Sequence, residues 1–163
     1  GSEMCIRDRV KIGNNVYIGD HASLIVENGA VLEIADNSFI GENCYIKCFG
    51  GKVLIGKDVS INSKSYINGC GGITIGDNTR IGTQSILIAS NHKFGEPDLL
   101  VKDAITKQGV SLGQNIWLGA RVTVLDGVTI ADDSVIGACS LVSKPLSESG
   151  VYVGIPAKKI KSV

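Results

Sequence analysis

Residues 75–87 read Ile-Gly-Asp-Asn-Thr-Arg-Ile-Gly-Thr-Gln-Ser-Ile-Leu and carry an aliphatic side chain at every sixth position. This spacing fits neither the turn of an α-helix, about 3.6 residues, nor the simple alternation of a strand. Hexapeptide repeats instead indicate a parallel β-helix, in which three hexapeptides form one triangular coil and the aliphatic residues fill its interior. Eighteen residues follow the spacing: Ile12, Ile18, Leu24, Ile34, Ile40, Ile46, Ile55, Ile61, Ile67, Ile75, Ile81, Leu87, Leu112, Leu118, Val124, Ile130, Ile136 and Val142.

Glycine directly follows nine of these aliphatic residues, and we interpret these glycines as tight corners of the coil. Short insertions at 27–29, 49–51 and 69–72 each follow the third hexapeptide of a coil, so we expect them to stack at one corner. The largest break in the spacing lies between Leu87 and Leu112. It predicts a protruding loop at about residues 91–109, and a loop of this length without internal structure is usually functional.

Composition narrows the class of protein. The chain has 16 basic and 16 acidic residues, so nucleic acid is not an expected partner. The sequence shows no apolar run of about 18 residues that would suggest a membrane span, and no signal peptide. Five cysteines without CxxC spacing suggest reduced thiols in a cytoplasmic protein, and we interpret them as small buried side chains rather than metal ligands.

Residues 1–9 do not belong to the repeat. Gly1 and Ser2 look like an expression scar, and 3–9 resemble a translated sequencing adaptor. We therefore interpret 1–9 as a tag or artefact segment, expect the natural N-terminus to be missing, and assign 10–163 to a single domain.

A β-helix can be an enzyme scaffold, a spacer or a binding surface, so the fold alone does not decide function. Ice-binding β-helices need outward threonine rows, and a γ-type carbonic anhydrase needs three histidine ligands. The chain has only two histidines, His21 and His92, and no such threonine rows are evident. A pure spacer would not need a long loop that contains a histidine.

Several short motifs occur in order between residues 73 and 161. They are Ile75-Gly76-Asp77-Asn78, Ser90-Asn91-His92, Gln108-Gly109, 116–120 (Ile-Trp-Leu-Gly-Ala), 126–130 (Asp-Gly-Val-Thr-Ile), 134–138 (Ser-Val-Ile-Gly-Ala) and 153–157 (Val-Gly-Ile-Pro-Ala). In these motifs the chain resembles the hexapeptide-repeat acyltransferases, especially the galactoside, maltose and polysaccharide O-acetyltransferase branch. The resemblance implies a left-handed parallel β-helix, acetyl-CoA as co-substrate, a sugar hydroxyl as acceptor, no metal, and an active site between subunits of a homotrimer.

His92 matches the general base of this family. A sugar hydroxyl must lose its proton as it attacks a thioester, and imidazole, which titrates near neutral pH, suits that task. The alternative is an ordinary surface-loop histidine. The side chain of Glu96, that of Asp98, or a backbone carbonyl could orient the ring.

The resemblance also implies a donor site. The backbone N–H of Ala120, at the corner with Gly119, would stabilise the oxyanion. Small side chains at Ala120, Ala138 and Ser143, about one coil apart on the matching face, would leave a groove for pantetheine.

Two further features complete the predicted donor site. Trp117 would contact pantetheine or the subunit seam, although packing in the core is an alternative. Lys158 and Lys161 would bind the phosphates of coenzyme A, although a solvated basic tail is also compatible with the sequence.

Asn62 matches a position that holds the sugar acceptor. Cys70 stands where the galactoside-type enzymes have an acidic residue, which favours a polysaccharide or nucleotide-sugar acceptor over a free galactoside. The predicted function is therefore acetyl-CoA-dependent O-acetylation of a sugar, such as a surface-polysaccharide precursor. The alternatives are N-acetylation of an amino sugar or nucleotide-amino sugar, and a non-enzymatic binding β-helix.

Overall fold

The computed structural model describes residues 4–5, 10–95, 100–101 and 104–163, and at Met4–Cys5 it describes the backbone only. Three parallel sheets form the faces of a triangular prism, with six complete coils. Sheet A contains β1 (Met4–Cys5), β4 (Ser23–Glu27), β7 (Tyr45–Phe49), β10 (Tyr66–Asn68), β13 (Ile86–Ile88), β18 (Thr123–Val124) and β21 (Leu141–Val142). Sheet B contains β2 (Val10–Ile12), β5 (Val31–Ile34), β8 (Lys52–Ile55), β11 (Ile73–Ile75), β16 (Val110–Leu112) and β19 (Thr129–Ile130). Sheet C contains β3 (Tyr17–Ile18), β6 (Phe39–Ile40), β9 (Ser60–Ile61), β12 (Arg80–Ile81), β17 (Trp117–Leu118), β20 (Val135–Ile136), β22 (Val151–Val153) and β23 (Lys158–Lys161).

The chain passes from sheet B to sheet C to sheet A in every complete coil. We call the three edges of the prism the B–C corner, the C–A corner and the A–B corner, in the order in which the chain meets them. The architecture confirms the predicted all-β parallel β-helix, which in this fold is left-handed.

The aliphatic positions stack in register along each face. In sheet C, for example, Ile61 pairs with Ile81, and Ile81 pairs with Leu118. Sixteen of the eighteen predicted interior residues are buried, because successive coils cover them. Ile12 is 41% exposed and Ile18 is half-buried. Both lie in the first complete coil, where only β1, paired with β4, is described on the preceding side.

The glycines after the aliphatic residues are required for a different reason from the one that the sequence suggested. None of the nine has a positive φ; the positive values lie mainly on polar residues later in each corner, such as Asn15 and Asn37. A Cβ at Gly82 would lie 2.6 Å from the backbone nitrogen of Ala120, and a Cβ at Gly119 would lie 2.6 Å from that of Ala138. These glycines are therefore required because the next coil approaches closely, not because the backbone needs an unusual dihedral angle.

The three short insertions stack at the A–B corner, as predicted. The backbone nitrogen of Gly50 donates to the carbonyl of Glu27 at 3.2 Å, and that of Gly69 donates to the carbonyl of Lys47 at 2.8 Å. Gly71 continues the stack, because a Cβ there would lie 2.2 Å from the carbonyl oxygen of Ala89.

The protruding loop leaves the prism at this same A–B corner. Its base is a short antiparallel ladder of β14 (Asn91–His92) and β15 (Ile105–Thr106), in which Asn91 faces Thr106 and His92 faces Ile105. The loop is therefore an ordered hairpin at its base, which we call the His92 hairpin (91–95 and 104–106). The sequence predicted a loop without internal structure, because a two-residue strand is too short to show a period.

Residues 146–161 close the C-terminal end of the prism. Leu146 bridges to Ile130, and β22 adds to sheet C with the side chain of Tyr152 only 6% exposed. Strand β23 then returns antiparallel to β22. Within the described residues, no helix has the length and apolar character needed to cross a membrane.

Candidate active site

The candidate site residues lie at two different corners of the prism. Asn62, Ala120 and Ala138 follow strands of sheet C and lie at the C–A corner, whereas His92 lies at the A–B corner. Sheet A lies between the two corners, and about five or six residues cross it in each coil. At roughly 3.3 Å per residue, the two corners are about 15–20 Å apart. One chain therefore does not bring the predicted base next to the predicted oxyanion donor.

The ring of His92 is oriented by a backbone carbonyl. Its Nδ1 lies 2.8 Å from the carbonyl oxygen of Val101, across the His92 hairpin. A carbonyl only accepts hydrogen bonds, so Nδ1 carries the proton in the neutral ring and Nε2 keeps its lone pair. Of the three candidates for the orienting group, the backbone carbonyl is the one found; Glu96 and Asp98 lie outside the described residues. The side chain is exposed, so Nε2 is accessible to a substrate.

Ala120 and Ala138 occupy equivalent positions in successive coils. The backbone nitrogen of Cys139 donates to the carbonyl of Ala120 at 2.8 Å, and Ala138 is exposed. The amides on both sides of Ala120 are used between coils: Gly119 donates to Ile136 and Arg121 donates to Thr83. Within the described part of the chain no acceptor is found for the Ala120 N–H, which leaves it available for an oxyanion.

Ser143 does not share this corner. It follows β21 of sheet A and lies at the A–B corner, exposed to solvent. The predicted single face with Ala120, Ala138 and Ser143 is therefore wrong, because Ser143 comes only five residues after Ala138 rather than one coil later. Ser143 instead shares its corner with His92.

Trp117 lies on the outer face of sheet C, between Arg80 and Val135, and is 59% exposed. Packing in the core, the alternative considered for this residue, is excluded. The ring remains free to contact a ligand or another chain next to the C–A corner.

The C-terminal strand β23 carries three exposed lysines. Lys159 is held by Glu148, with 2.8 Å between Nζ and a carboxylate oxygen, and this hydrogen bond raises the pKa of Lys159. Lys158 and Lys161 take part in none of the ion pairs found among the described residues. Their charges are therefore available for an anionic ligand at the C-terminal end of the prism.

Asn62 is partly buried at the C–A corner, two coils before Ala120. Its side-chain nitrogen donates to the carbonyl of Ile81 at 2.8 Å, which fixes the amide, and among the described residues no donor to its side-chain oxygen is found. Cys70 is half-buried at the A–B corner.

The cysteines divide by burial. Cys44 and Cys48 are buried as predicted, and burial raises the pKa of Cys48 to about 12, which keeps its thiol protonated. Cys139 is exposed, contrary to the prediction, because it occupies a corner position with a φ of 59°. No group of three or more histidine, cysteine, aspartate or glutamate residues suited to a metal ion occurs in the described ranges.

Sequence reasoning missed three residues that hold the His92 hairpin: Val101, Thr106 and Asp126. Asp126 accepts hydrogen bonds from the backbone nitrogens of Gln108 and Gly109 and from the hydroxyl of Thr106. Asp126 lies in one of the motifs that carry the resemblance, so the signal was present, but its role was not evident without the inter-coil contact.

Stacked hexapeptide coils with a histidine-bearing hairpin define a hexapeptide-repeat protein of the transferase type. The family description "Bacterial transferase hexapeptide (six repeats)" matches residues 109–144. The chain is 30% identical over 145 residues to a candidate lipopolysaccharide biosynthesis O-acetyl transferase of Escherichia coli, WbbJ, covering 83% of this chain and 74% of that protein. The chain belongs to the hexapeptide-repeat acyltransferase family.

Two other relatives bear on function. The galactoside O-acetyltransferase of Escherichia coli is 30% identical over 129 residues, covering 76% of this chain; the chain spans 63% of the length of that relative. A crystal structure of a variant of AntD, an N-acyltransferase from Bacillus cereus in complex with dTDP and coenzyme A, superposes with a TM-score of 0.81 at 29% identity, covering 93% of this chain and 82% of that one.

Proposed function

We propose that this protein is an acetyl-CoA-dependent O-acetyltransferase that modifies a hydroxyl group of a sugar. The observation that carries the proposal is the orientation of His92, whose Nδ1 donates to the Val101 carbonyl at 2.8 Å. A histidine held in this tautomer presents a basic Nε2 outward, which is what general-base catalysis of acyl transfer requires.

The reaction is a direct transfer. As the acceptor oxygen bonds to the thioester carbon of acetyl-CoA, His92 Nε2 takes the hydroxyl proton. The carbon–sulfur bond then breaks, and the protonated imidazole returns its proton to the sulfur, so the products are an O-acetyl sugar and the CoA thiol. The Ala120 N–H is the proposed donor to the negative charge that develops on the thioester oxygen.

The complete site needs two chains. His92 and Ser143 lie at the A–B corner, whereas Asn62, Ala120 and Ala138 lie at the C–A corner. A ring of three subunits with sheet A facing the three-fold axis brings the A–B corner of one subunit against the C–A corner of the next, and it gives every subunit the same site.

The outer face of sheet A suits a central position in such a trimer. Tyr45 stacks on Tyr66, with ring centroids 5.4 Å apart, and the same outward row begins at Ser23 and continues through Ile86 and Thr123 to Leu141. In the corresponding outward row of sheet B, Leu54 is the one apolar residue beside Lys11, Glu33, Thr74, Ser111 and Thr129. An apolar face is the one expected to be covered by other subunits.

The remaining candidate residues fit the donor. The stacked small residues Ala120 and Ala138 leave room beside the exposed Trp117 for the apolar pantetheine arm. Lys158 and Lys161 supply charged hydrogen bonds to its phosphates. Neither role depends on a metal ion.

A sugar acceptor is supported by the relatives, since a galactoside O-acetyltransferase and a candidate lipopolysaccharide O-acetyl transferase both match this chain. The amide nitrogen of Asn62 donates to the carbonyl of Ile81, so its side-chain oxygen can accept a hydrogen bond from a hydroxyl of the sugar. Cys70 supplies no charge of the kind that a carboxylate would, and we therefore favour a surface-polysaccharide precursor over a free galactoside. A cytoplasmic location, where such precursors are made, remains the prediction from the sequence.

N-acetylation of an amino sugar or nucleotide-amino sugar is the second candidate. The structural match to an N-acyltransferase complexed with dTDP and coenzyme A favours it. The same base and donor groove would serve both reactions, because only the attacking atom of the acceptor differs.

The test is a screen of sugars, amino sugars and nucleotide sugars as acceptors, in which release of the CoA thiol from acetyl-CoA is measured for each. Hydroxylamine cleaves an ester product and leaves an amide intact, so it distinguishes O- from N-acetylation. We expect hydroxylamine-sensitive product that disappears in the His92→Ala variant. If calorimetry shows no binding of acetyl-CoA, the proposed acetyltransferase activity is refuted, and the non-enzymatic binding β-helix is the alternative that is left.

A further inference from the structure

We infer that Asp126 is a positioning residue that fixes the His92 hairpin, and with it the imidazole of His92, onto the prism. This inference rests on the proposed role of His92. Asp126 lies one coil beyond the hairpin at the A–B corner and is half-buried.

Both carboxylate oxygens of Asp126 bind the returning leg of the hairpin. Oδ1 accepts from the backbone nitrogens of Gln108 at 2.9 Å and Gly109 at 2.8 Å, and Oδ2 accepts from the Thr106 hydroxyl at 2.8 Å. Gly127 adds a fourth link, since its backbone nitrogen donates to the carbonyl of Gly109 at 2.7 Å. A charged acceptor with three donors is a strong and directional attachment.

A short chain of contacts leads from Thr106 to His92. Thr106 is opposite Asn91 in the ladder, and its hydroxyl lies 3.3 Å from the carbonyl oxygen of Asn91. The side-chain oxygen of Asn91 in turn accepts from the backbone nitrogen of His92 at 2.9 Å.

The hairpin has few other attachments of this kind. Its two-residue strands form a ladder that is too short to be stable alone. Phe94, and Leu100 and Val101 in the loop beyond it, are each at least 50% exposed. Because little apolar burial holds the hairpin, the Asp126 contacts decide where its base lies relative to the coils.

The chain contains a matched control for Asp126. Asp132 also accepts a hydrogen bond from the preceding coil, from the backbone nitrogen of Gln114 at 2.8 Å, but it lies at the B–C corner away from the hairpin. Asp132→Ala removes a similar inter-coil bond without touching the hairpin. Its effect measures the purely structural consequence of such a loss.

The experiment compares kcat and the KM for acetyl-CoA in Asp126→Ala, Asp126→Asn, Thr106→Val and Asp132→Ala. Asp126→Ala should lower kcat about 10- to 100-fold, because a misplacement of about 1 Å has that effect on a catalytic group, with KM for acetyl-CoA nearly unchanged. Asp126→Asn should recover much of the rate, since its amide oxygen still accepts from both backbone nitrogens. Asp132→Ala should match the wild type. If Asp126→Ala does not fold, the other hairpin variants give the result.

A double-mutant cycle with His92→Ala separates positioning from general damage to the fold. If Asp126 acts through His92, Asp126→Ala should cause little further loss in the His92→Ala background. An unchanged kcat in Asp126→Ala, or the same fold-loss with and without His92, would overturn the inference.

A spectroscopic readout keeps this result distinct from failure of the proposed function. The chain has two histidines, so His21→Asn leaves His92 as the only imidazole. If His92→Ala retains full turnover, the base assignment has failed. The ¹⁵N signals of the His92 ring then decide the inference alone: a change in Asp126→Ala but not in Asp132→Ala supports it, and no change in either variant refutes it.

Discussion

The division of site residues between two corners makes a quantitative prediction about mixed trimers. His92→Ala chains lack the base, and Ala138→Trp chains fill the donor groove. Both side chains are exposed, so neither substitution should disturb the buried core. Each variant alone should be inactive. A productive site then needs an intact Ala138 from one chain next to an intact His92 from its neighbour.

The expected recovery follows from counting interfaces in the ring. With equal amounts of the two chains and random assembly, the first position carries Ala138 in half of the cases and the second carries His92 in half. About one quarter of the interfaces in the whole mixture are therefore complete. Every mixed trimer has one complete interface out of three, so trimers purified through both tags should show about one third of the wild-type rate. If both groups instead served the same chain, no interface would be complete.

The assay is release of the CoA thiol by trimers that are purified through two different tags, one on each variant. Calorimetry should first show that Ala138→Trp does not bind CoA while the coils remain folded. Unchanged CoA affinity would remove the groove from the proposal. Absence of activity in verified mixed trimers, or light scattering that shows an active monomer, would refute the shared site.

Four further predictions concern single residues. His92→Ala should lower kcat by roughly 10²–10⁴ with acetyl-CoA affinity unchanged in calorimetry, and near-normal turnover with the true acceptor would show that the base is another group. Lys158→Ala and Lys161→Ala should each weaken CoA binding by about 10-fold or more, and equal losses for CoA and dephospho-CoA would argue against contact with the 3′-phosphate. Acetyl-CoA should slow alkylation of the exposed Cys139, which follows Ala138, as measured by mass spectrometry; unaltered labelling would place the donor elsewhere. Burial raises the pKa of the Cys48 thiol from 9.0 to about 12. The unfolded chain therefore loses this proton first, and above about pH 9 the free energy of unfolding should fall as the pH rises toward 12, by at most about 1.4 kcal/mol per pH unit. Urea titrations should show a smaller fall of the free energy of unfolding over this pH range in Cys48→Ala.

The six-residue spacing was sufficient to predict a parallel β-helix, whereas its handedness was implied only by the resemblance. Each aliphatic residue sits directly above the equivalent residue of the previous coil, as Leu118 does above Ile81. The stacking is local and repeated, so a period in one dimension specifies the interior of the prism. The glycines were also found from the sequence, although their cause is the close approach of the next coil and not the dihedral freedom that was expected.

The candidate site was predicted only as a set of residues. The motifs identified His92, Asn62, Ala120 and the C-terminal lysines, but the position of a residue along the chain does not tell which corner faces another subunit. Ser143 was placed on the wrong face for a different reason, because it follows Ala138 by five residues and not by one coil. The exposure of Trp117 also could not be read from the chain, since an aromatic residue beside an interior position can point either way.

By itself, the sequence determined a triangular β-helix, its interior residues and the place where a functional loop leaves it. These depend on contacts between equivalent positions of adjacent coils, and a regular period encodes them completely. Only the tertiary structure showed that the Val101 carbonyl orients His92, that Asp126 holds Thr106 from 20 residues away, and that sheet A separates His92 from the corner of Ala120. These contacts cross the break in the period, where hydrogen-bond geometry in three dimensions, and not spacing, decides which groups meet.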